Sequence, residues 1–379
     1  MYAPFALLVL SCLDGAFASE AHVADSCRAV VLAKEDGGGR PVGMGDSRRR
    51  MTGKGITIQF REPMVALAEA SHNVAFEQDG PQIVHKALQV YIAGNPSHVI
   101  VCTDQRSCFQ RVPRANMERT MYEDEALRDI LPYYYTYYGE TAKLYYGDNF
   151  RSDSEEGCQQ GCTLGVFLAI AGMKPVIETL IEEFDGSDGE DMVLIIGDVD
   201  DYYFAGPADR VKMCYERYSE LLENFGMELN HAKGWIYSPT TATLTLDSVA
   251  ELEAQGLSIA QPDEGIKVLG SPLGADGWCT AFLAAKNVKV KAVIDAIEGL
   301  GKHDGQSAVQ CALLLLRFCA VPRISHLLRS CAPAISVDFA VEHDRNILAC
   351  FSRLLGPGTP LTCDTLIDLD QEPSQLVHK

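Results

Sequence analysis

The chain has 379 residues, enough to bury a sizeable core and to form two or three structural units, and its 47% apolar content excludes wholesale disorder. Its formal net charge of −20 excludes a grip on nucleic acid through overall charge, because Lys and Arg neutralising phosphates supply most of such affinity. Any such role needs local basic patches, and the candidates are Arg48-Arg49-Arg50 with Lys54, and Arg317, Arg323 and Arg329 on an apolar C-terminal stretch.

At the N-terminus, Ala3 to Leu13 is apolar and Ala16-Phe17-Ala18-Ser19 has the small residues of a signal-peptide cleavage site. The basic segment that should precede them is missing, and Asp14 interrupts the pattern. No run is expected to approach the ~20 residues of a membrane helix. The chain therefore reads as soluble and intracellular, nuclear or cytoplasmic. A β-rich run then ends at Lys34, a Gly-rich turn follows, and a second extended segment starts at Arg40-Pro41. Such a hairpin can bring Lys34 and Arg40 together, which suits a triphosphate. It is not a P-loop, because no Gly-Lys-Ser/Thr closes the glycine run.

Residues 57 to 96 read as helical, and Ser97 to Asp104 as a short β-branched run delivering one carboxylate at its end. A capping role for Asp104 is the competing reading. Pro113 opens a helix with Met117 and Met121 on one face. The Tyr-rich stretch Leu131 to Tyr146 has few basic neighbours, so packing is favoured over base stacking. The loop Glu155 to Gly165 is Gly-rich and runs into a long apolar helix ending near Phe184. Its Cys158 and Cys162 have no second pair to complete a zinc site, and the odd total of thirteen cysteines fits reduced, buried thiols.

Val193 to Gly206 is an apolar run, then Asp198-Val199-Asp200-Asp201, then an aromatic run. Two buried strands joined by a tight acidic hairpin are expected. Like charges packed on one tip repel unless a cation neutralises them, and Mg²⁺ is held by one or two carboxylates plus substrate phosphates. A solvated acidic turn is the competing reading. Ala208 to Phe225 follows as an amphipathic helix, Gly226 to Tyr237 as a strand, a turn bearing Lys233 and a strand, and Gly265 to Gly274 as a hairpin. Beyond Ala281 the chain is helical, and Gly356-Pro357-Gly358 ends that region.

In this order the segments resemble a reverse transcriptase of the non-LTR retrotransposon type, from about Cys27 to Gly356. Asp104 with an aromatic five positions on, Phe109, matches the family's first catalytic motif. Gly157-x-Gln159-Gln160-Gly161 matches its template and nucleotide loop, and Asp198-Val199-Asp200-Asp201 stands in the place of its Tyr-x-Asp-Asp box. Gly226-Met227-Glu228-Leu229-Asn230 with Lys233 matches a further segment, Val268 to Gly274 resembles the primer-grip hairpin, and Lys34 with Arg40-Pro41-Val42 resembles the finger motifs.

The resemblance implies an α+β fold shaped as a right hand, with an antiparallel palm sheet backed by helices, fingers and a helical thumb. The implied boundaries are an N-terminal and fingers segment over 1–96, a palm with a fingers insertion over 97–239, and a primer-grip-like hairpin over 240–276. A thumb-like region over 277–357 and a truncated tail over 358–379 complete the chain, which would be a polymerase core or a piece of a longer element. The implied activity is RNA-directed DNA polymerisation by two-metal transfer from dNTP to a primer 3′-hydroxyl, with Mg²⁺ or Mn²⁺, an RNA template and a DNA primer. Asp104, Asp200 and Asp201 would hold the metal. Lys233 would protonate or neutralise the departing pyrophosphate, and Lys34 and Arg40 would hold the triphosphate. Gln160 and Gly161 would line the nucleotide, and Phe109 would exclude a ribose 2′-hydroxyl.

Asp198 stands where the box has an aromatic, and Cys162-Thr163 where the loop has Asp-Pro. These departures and the acidic charge motivate the alternative, a catalytically silent reverse-transcriptase-like domain acting as a binding module. A nucleotide cyclase or another phosphotransferase using the same palm logic is a third reading, opposed by the template-loop and primer-grip resemblances.

Overall fold

The computed structural model describes residues 27–33, 39–146, 149–185, 192–302 and 306–356. The N-terminal apolar segment, Lys34 and the 358–379 tail lie outside the described residues. The chain divides after Ala260 into two compact units.

The first unit opens with the expected hairpin, β1 (Cys27–Ala33) and β2 (Gly39–Met44), paired antiparallel from Arg28–Met44 to Ala33–Gly39. Helix α1 (Ser47–Gln59) starts where the Asp46 carboxylate accepts the Arg49 amide at 2.8 Å, a side-chain N-cap. Helices α2 (Arg61–Ala70) and α3 (Gly80–Gly94) follow. Strand β3 (Val99–Cys102) comes next, then a short helix α4 (Cys108–Arg111) and α5 (Arg114–Glu123), which Pro113 opens as expected. Helix α6 (Leu131–Tyr138) buries Tyr133, Tyr134, Tyr137 and Tyr138, so the tyrosines pack rather than stack bases. Strands β4 (Ala142–Tyr146) and β5 (Asn149–Ser154) join the first hairpin in a sheet ordered β2-β1-β4-β5.

Helix α7 (Gly165–Phe184) precedes the acidic hairpin, β6 (Leu194–Asp198) and β7 (Asp201–Gly206), and α8 (Ala208–Asn224) follows it. Strand β8 (Trp235–Tyr237), short helices α9 (Thr241–Leu244) and α10 (Asp247–Ala254), and β9 (Ser258–Ala260) complete the unit. The central sheet runs β6-β7-β3-β8-β9, antiparallel except for β8 with β9. Side chains alternate across it. Val99, Val101, Ile195, Tyr202 and Phe204 enter one core with Phe167, Ile170 and Ile177 of α7 and Val211, Cys214 and Tyr218 of α8.

Two local expectations need correction. The stretch 57–96 is not continuously helical: residues 71–79 separate α2 from α3, and Asn73 bridges in parallel to Gly197 at the edge of β6. The expected first strand of the Gly226 to Tyr237 segment is only an isolated bridge between Leu229 and Gln105, followed by a 3₁₀ turn at His231–Lys233.

The second unit contains the hairpin β10 (Gly265–Val268) and β11 (Ser271–Gly274) with α11 (Asp276–Gly301), α12 (Gln306–Leu315), α13 (Ser325–Ser330) and α14 (Pro333–Leu355). Leu283, Ile294, Leu316, Leu327 and Phe339 build a core of its own. A π turn at Leu316–Ala320 and a 3₁₀ turn at Val321–Ile324 link α12 to α13. Against expectation, Ala308–Ser330 is a 23-residue helical stretch long and apolar enough by composition to cross a membrane, with mean hydropathy 1.6 over its best window. Only 28% of the window is buried within the fold. Arg317, Arg323 and Arg329 are all exposed on it.

Candidate active site

Strand β3 is fully buried, and its ladder continues one residue beyond its end. The Thr103 amide and hydroxyl both donate to the Tyr202 carbonyl, at 3.1 and 2.8 Å. This carries Asp104 out of the sheet as a half-buried carboxylate beside the acidic hairpin. In that hairpin Gly197 faces Tyr202 and Asp198 faces Asp201, so Val199 and Asp200 form the turn. Gln105 braces the two elements: its side-chain amide donates to the Asp200 carbonyl at 3.1 Å and to the Tyr218 hydroxyl at 2.6 Å. The Asn230 amide donates to the Asp104 carbonyl at 2.7 Å, which brings the turn carrying Lys233 to the same end of the sheet.

The electrostatics show which charges meet. Burial raises the pKa of Asp200; hydrogen bonding to its own backbone region opposes this, the charge of Asp104 raises it further, and Arg40 lowers it. Burial and the charge of Asp200 raise Asp198. Asp104, Asp200 and Arg40, from β3, the β6–β7 turn and β2, therefore share one electrostatic neighbourhood. Asp201 closes the turn opposite Asp198, close enough for its charge to add to burial in raising the Cys102 thiol.

The turn is held in an uncommon shape. Val199 has φ of +59°, a left-handed conformation that β-branched residues rarely adopt. Asn73, 2% exposed, holds it from outside the hairpin. Its amide nitrogen donates to the Val199 carbonyl at 2.9 Å and its oxygen accepts the Val199 amide at 3.0 Å.

The Gly-rich loop lies against α4 and β2. Gly157 has φ of +69°, and a Cβ there would fall 2.3 Å from the Phe109 carbonyl oxygen. The next amide, of Cys158, donates to that carbonyl at 2.6 Å. Arg114 fastens the loop from behind, donating from Nε to the Gly157 carbonyl at 3.1 Å and from Nη2 to the Ser154 carbonyl at 2.9 Å. At Gly161 a Cβ would lie 2.2 Å from the Gly43 carbonyl oxygen of β2, so only glycine allows this approach. A cavity of about 300 Å³ is lined by Pro41, Gly43, Gln110, Cys158, Gln159 and Gln160.

The fold thus gathers Asp104, Asp200, Asp201 and Arg40 with the loop of Gln160 and Gly161. Phe109 is only 9% exposed, wedged beneath that loop. Lys233 is exposed and makes no ion pair among the described residues. Lys34 lies outside them. The Arg48-Arg49-Arg50 patch needs correction, since Arg49 is 2% exposed and stacks over Tyr137 and Tyr138 at 4.6 and 4.9 Å. Sequence reasoning did not find Asn73, Gln105 or Arg114, whose work is done through backbone groups distant in sequence.

Among the described residues no three or more His, Cys, Asp or Glu side chains converge as a ready-made metal cage. A magnesium ion of phosphoryl-transfer enzymes needs only one or two carboxylates, the rest coming from water and substrate phosphates. Asp104 and Asp200, two like charges brought together on separate elements with Asp201 beside them, fit that donor set.

The site is an acidic tip at the end of the central sheet, flanked by a cation and a glycine loop. No known family model matches the chain, and no curated protein matches it. Similar solved structures include telomerases and a viral RNA-dependent RNA polymerase. Telomerase from Candida albicans, in complex with a fragment of telomeric RNA, has a TM-score of 0.49 and 9% identity over 87% of this chain and 59% of that one. Truncated Candida tropicalis telomerase has 0.43 and 12% over 57% and 50%, and the RNA-dependent RNA polymerase of a human picobirnavirus 0.41 and 13% over 86% and 61%. The chain spans between half and two thirds of the length of these three chains. At these scores the likeness carries no functional assignment.

Proposed function

We propose that this chain is an RNA-directed DNA polymerase of the non-LTR retrotransposon type, using Mg²⁺ or Mn²⁺ to join dNTPs to a DNA primer on an RNA template. The observation that carries the reading is the convergence of Asp104 and Asp200, from separate elements, with Arg40 in electrostatic reach of Asp200. Bound divalent metal would supply Lewis acidity to the attacking and leaving oxygens. Asp104 and Asp200 would hold it and Asp201 would support it at the hairpin tip. Arg40, with Lys34, would hold the triphosphate, Gln160 and Gly161 would line the nucleotide, and Phe109 would limit the space beside the ribose. Lys233, exposed at the end of the sheet that bears Asp104, would give a proton or a positive charge to departing pyrophosphate. In the palm, fingers and thumb description, the five-stranded sheet would be the palm, the four-stranded sheet part of the fingers, and the second unit the primer-grip hairpin and thumb.

Primer extension by the purified chain on an RNA template, with Mg²⁺ or Mn²⁺, tests the reading. Extension by the wild type that disappears in D104N and in D200N, both still folded, is the expected result. Undiminished extension in either variant would remove these carboxylates from the mechanism.

A further inference from the structure

We propose that Asn73 is a positioning residue for the carboxylate turn, holding Val199 in a backbone conformation that the valine itself disfavours and thereby fixing how Asp198, Asp200 and Asp201 are presented. The chemical role of the turn rests on the polymerase reading; the clamp itself does not.

Every hydrogen-bonding capacity of the Asn73 side chain is used. Its nitrogen donates to the Val199 carbonyl at 2.9 Å and to the Tyr202 hydroxyl at 3.1 Å. Its oxygen accepts the amides of Val199 at 3.0 Å and Ala75 at 3.1 Å. Two of these four bonds go to the backbone of one residue, the residue between the carboxylates with φ of +59°. A bidentate grip on both the N–H and the C=O of one residue fixes the two peptide units on either side of its Cα, where a single bond would leave one of them free to rotate.

The clamp is itself anchored. The Gly197 amide donates to the His72 carbonyl and the Val74 amide to the Gly197 carbonyl, both at 2.9 Å, so residues 72–74 form a short parallel edge along β6. The Tyr202 hydroxyl, which receives from Asn73, donates to the Ser71 carbonyl at 3.3 Å. The turn is therefore gripped from its own strand β7, from β6 and from the connection between α2 and α3. The sequence Asp-Val-Asp-Asp has no reason of its own to adopt a left-handed valine, since glycine, asparagine or aspartate would take that position more readily. Backbone held in a sparsely populated region by its surroundings is a mark of a site in which geometry is preset.

A simple connector role for Asn73 predicts a loss of stability alone; the clamp predicts a loss tied to Val199. The test uses the full chain with N73A, the isosteric N73D, V199G and N73A/V199G. Exchange of the Val199 amide, followed by NMR, should be slow in the wild type and at least about tenfold faster in N73A. Mn²⁺ affinity, read by electron paramagnetic resonance, should weaken by about tenfold, and the extension kcat should fall about 10²-fold with dNTP KM little changed. Glycine tolerates positive φ, so the loss on removing Asn73 should shrink by about tenfold in the V199G background. N73D keeps the acceptor, loses both donations and adds a negative charge, so it should bind Mn²⁺ with altered affinity while still folding.

An unchanged Val199 exchange rate in folded N73A would overturn the clamp. So would a loss of equal size in the valine and V199G backgrounds. If the wild type extends no primer but the exchange and Mn²⁺ responses follow Asn73 as described, the polymerase reading fails and the clamp stands.

Discussion

Gly161 offers the most direct test of how the Gly-rich loop is seated against β2. In G161A the new methyl would lie 2.2 Å from the Gly43 carbonyl oxygen, 2.9 Å from its carbonyl carbon and 3.1 Å from Val42 Cγ1. Gly43 cannot turn aside, because β2 is paired to β1 in register with Ala29 at that point. The loop and the strand must therefore part by about 1 Å, an overpacking that typically costs about 1–3 kcal/mol. For a unit of this size a loss of about 2 kcal/mol lowers the melting temperature by roughly 4–8 °C. On the polymerase reading the same movement shifts Gln160 relative to β2, the strand that carries Arg40, so dNTP KM should rise by about tenfold, equivalent to about 1.4 kcal/mol. Thermal melting by circular dichroism and dNTP titration of extension read the two effects. Gly55 has open space around its Cβ position, and G55A, in the middle of α1, should stabilise by about 0.5–1 kcal/mol, which separates packing from glycine loss as such. A G161A protein melting within 1 °C of the wild type, with unchanged KM, would refute the close seating.

Two further outcomes follow from buried charge. R49K removes the planar group lying over Tyr137 and Tyr138 and its donation to Cys27 Sγ at 3.2 Å, and should lower the unfolding free energy by about 3 kcal/mol in urea titration; a shift under 1 kcal/mol would contradict the stacking. Burial raises the pKa of Asp200, so the folded state holds that proton more tightly than the unfolded state. Stability is then lost as pH climbs from the ordinary carboxylate range through the raised value. D200N cannot ionise and should melt above the wild type at pH 8 but not at pH 4, and Mg²⁺ should raise the wild-type melting temperature more than that of D200N. A lower melting temperature for D200N at both pH values would reverse the assignment.

Much of this site was legible where a short segment carries its own signal. The apolar run, acidic triplet and aromatic run of residues 193–206 fold as the β6–β7 hairpin, because period-two burial and turn-forming aspartates act locally. Pro113 starts α5 for an equally local reason. Asn73 was hidden because residues 57–96 have the composition of helices, and only a long-range parallel pairing to Gly197 pulls 71–79 out of that pattern. Arg49 was read with its two neighbours as surface charge; burial at one position of three depends on helix phase and on tyrosines more than eighty residues away. Strand β9 is three residues long, too short to show alternation, and it exists through its parallel pairing with β8.

The net charge of −20 sets a condition on any polyanionic partner. At low ionic strength the field of the whole chain repels nucleic acid, while near the site Arg40 and Lys233 are the exposed cations already named. Counterion release from two such contacts would give a slope of about −2 in log affinity against log salt, far below that of proteins that cover many phosphates. Screening acts in the opposite direction on encounter: the Debye length shortens from roughly 30 Å at 0.01 M to 8 Å at 0.15 M, and the repulsion fades with it. The association rate of a labelled primer–template, measured by stopped flow, should therefore rise with salt over this range while equilibrium affinity changes only shallowly. A falling association rate with an affinity slope near −6 would require a broad basic surface on the chain and would overturn this account of how so acidic a protein would meet a nucleic acid.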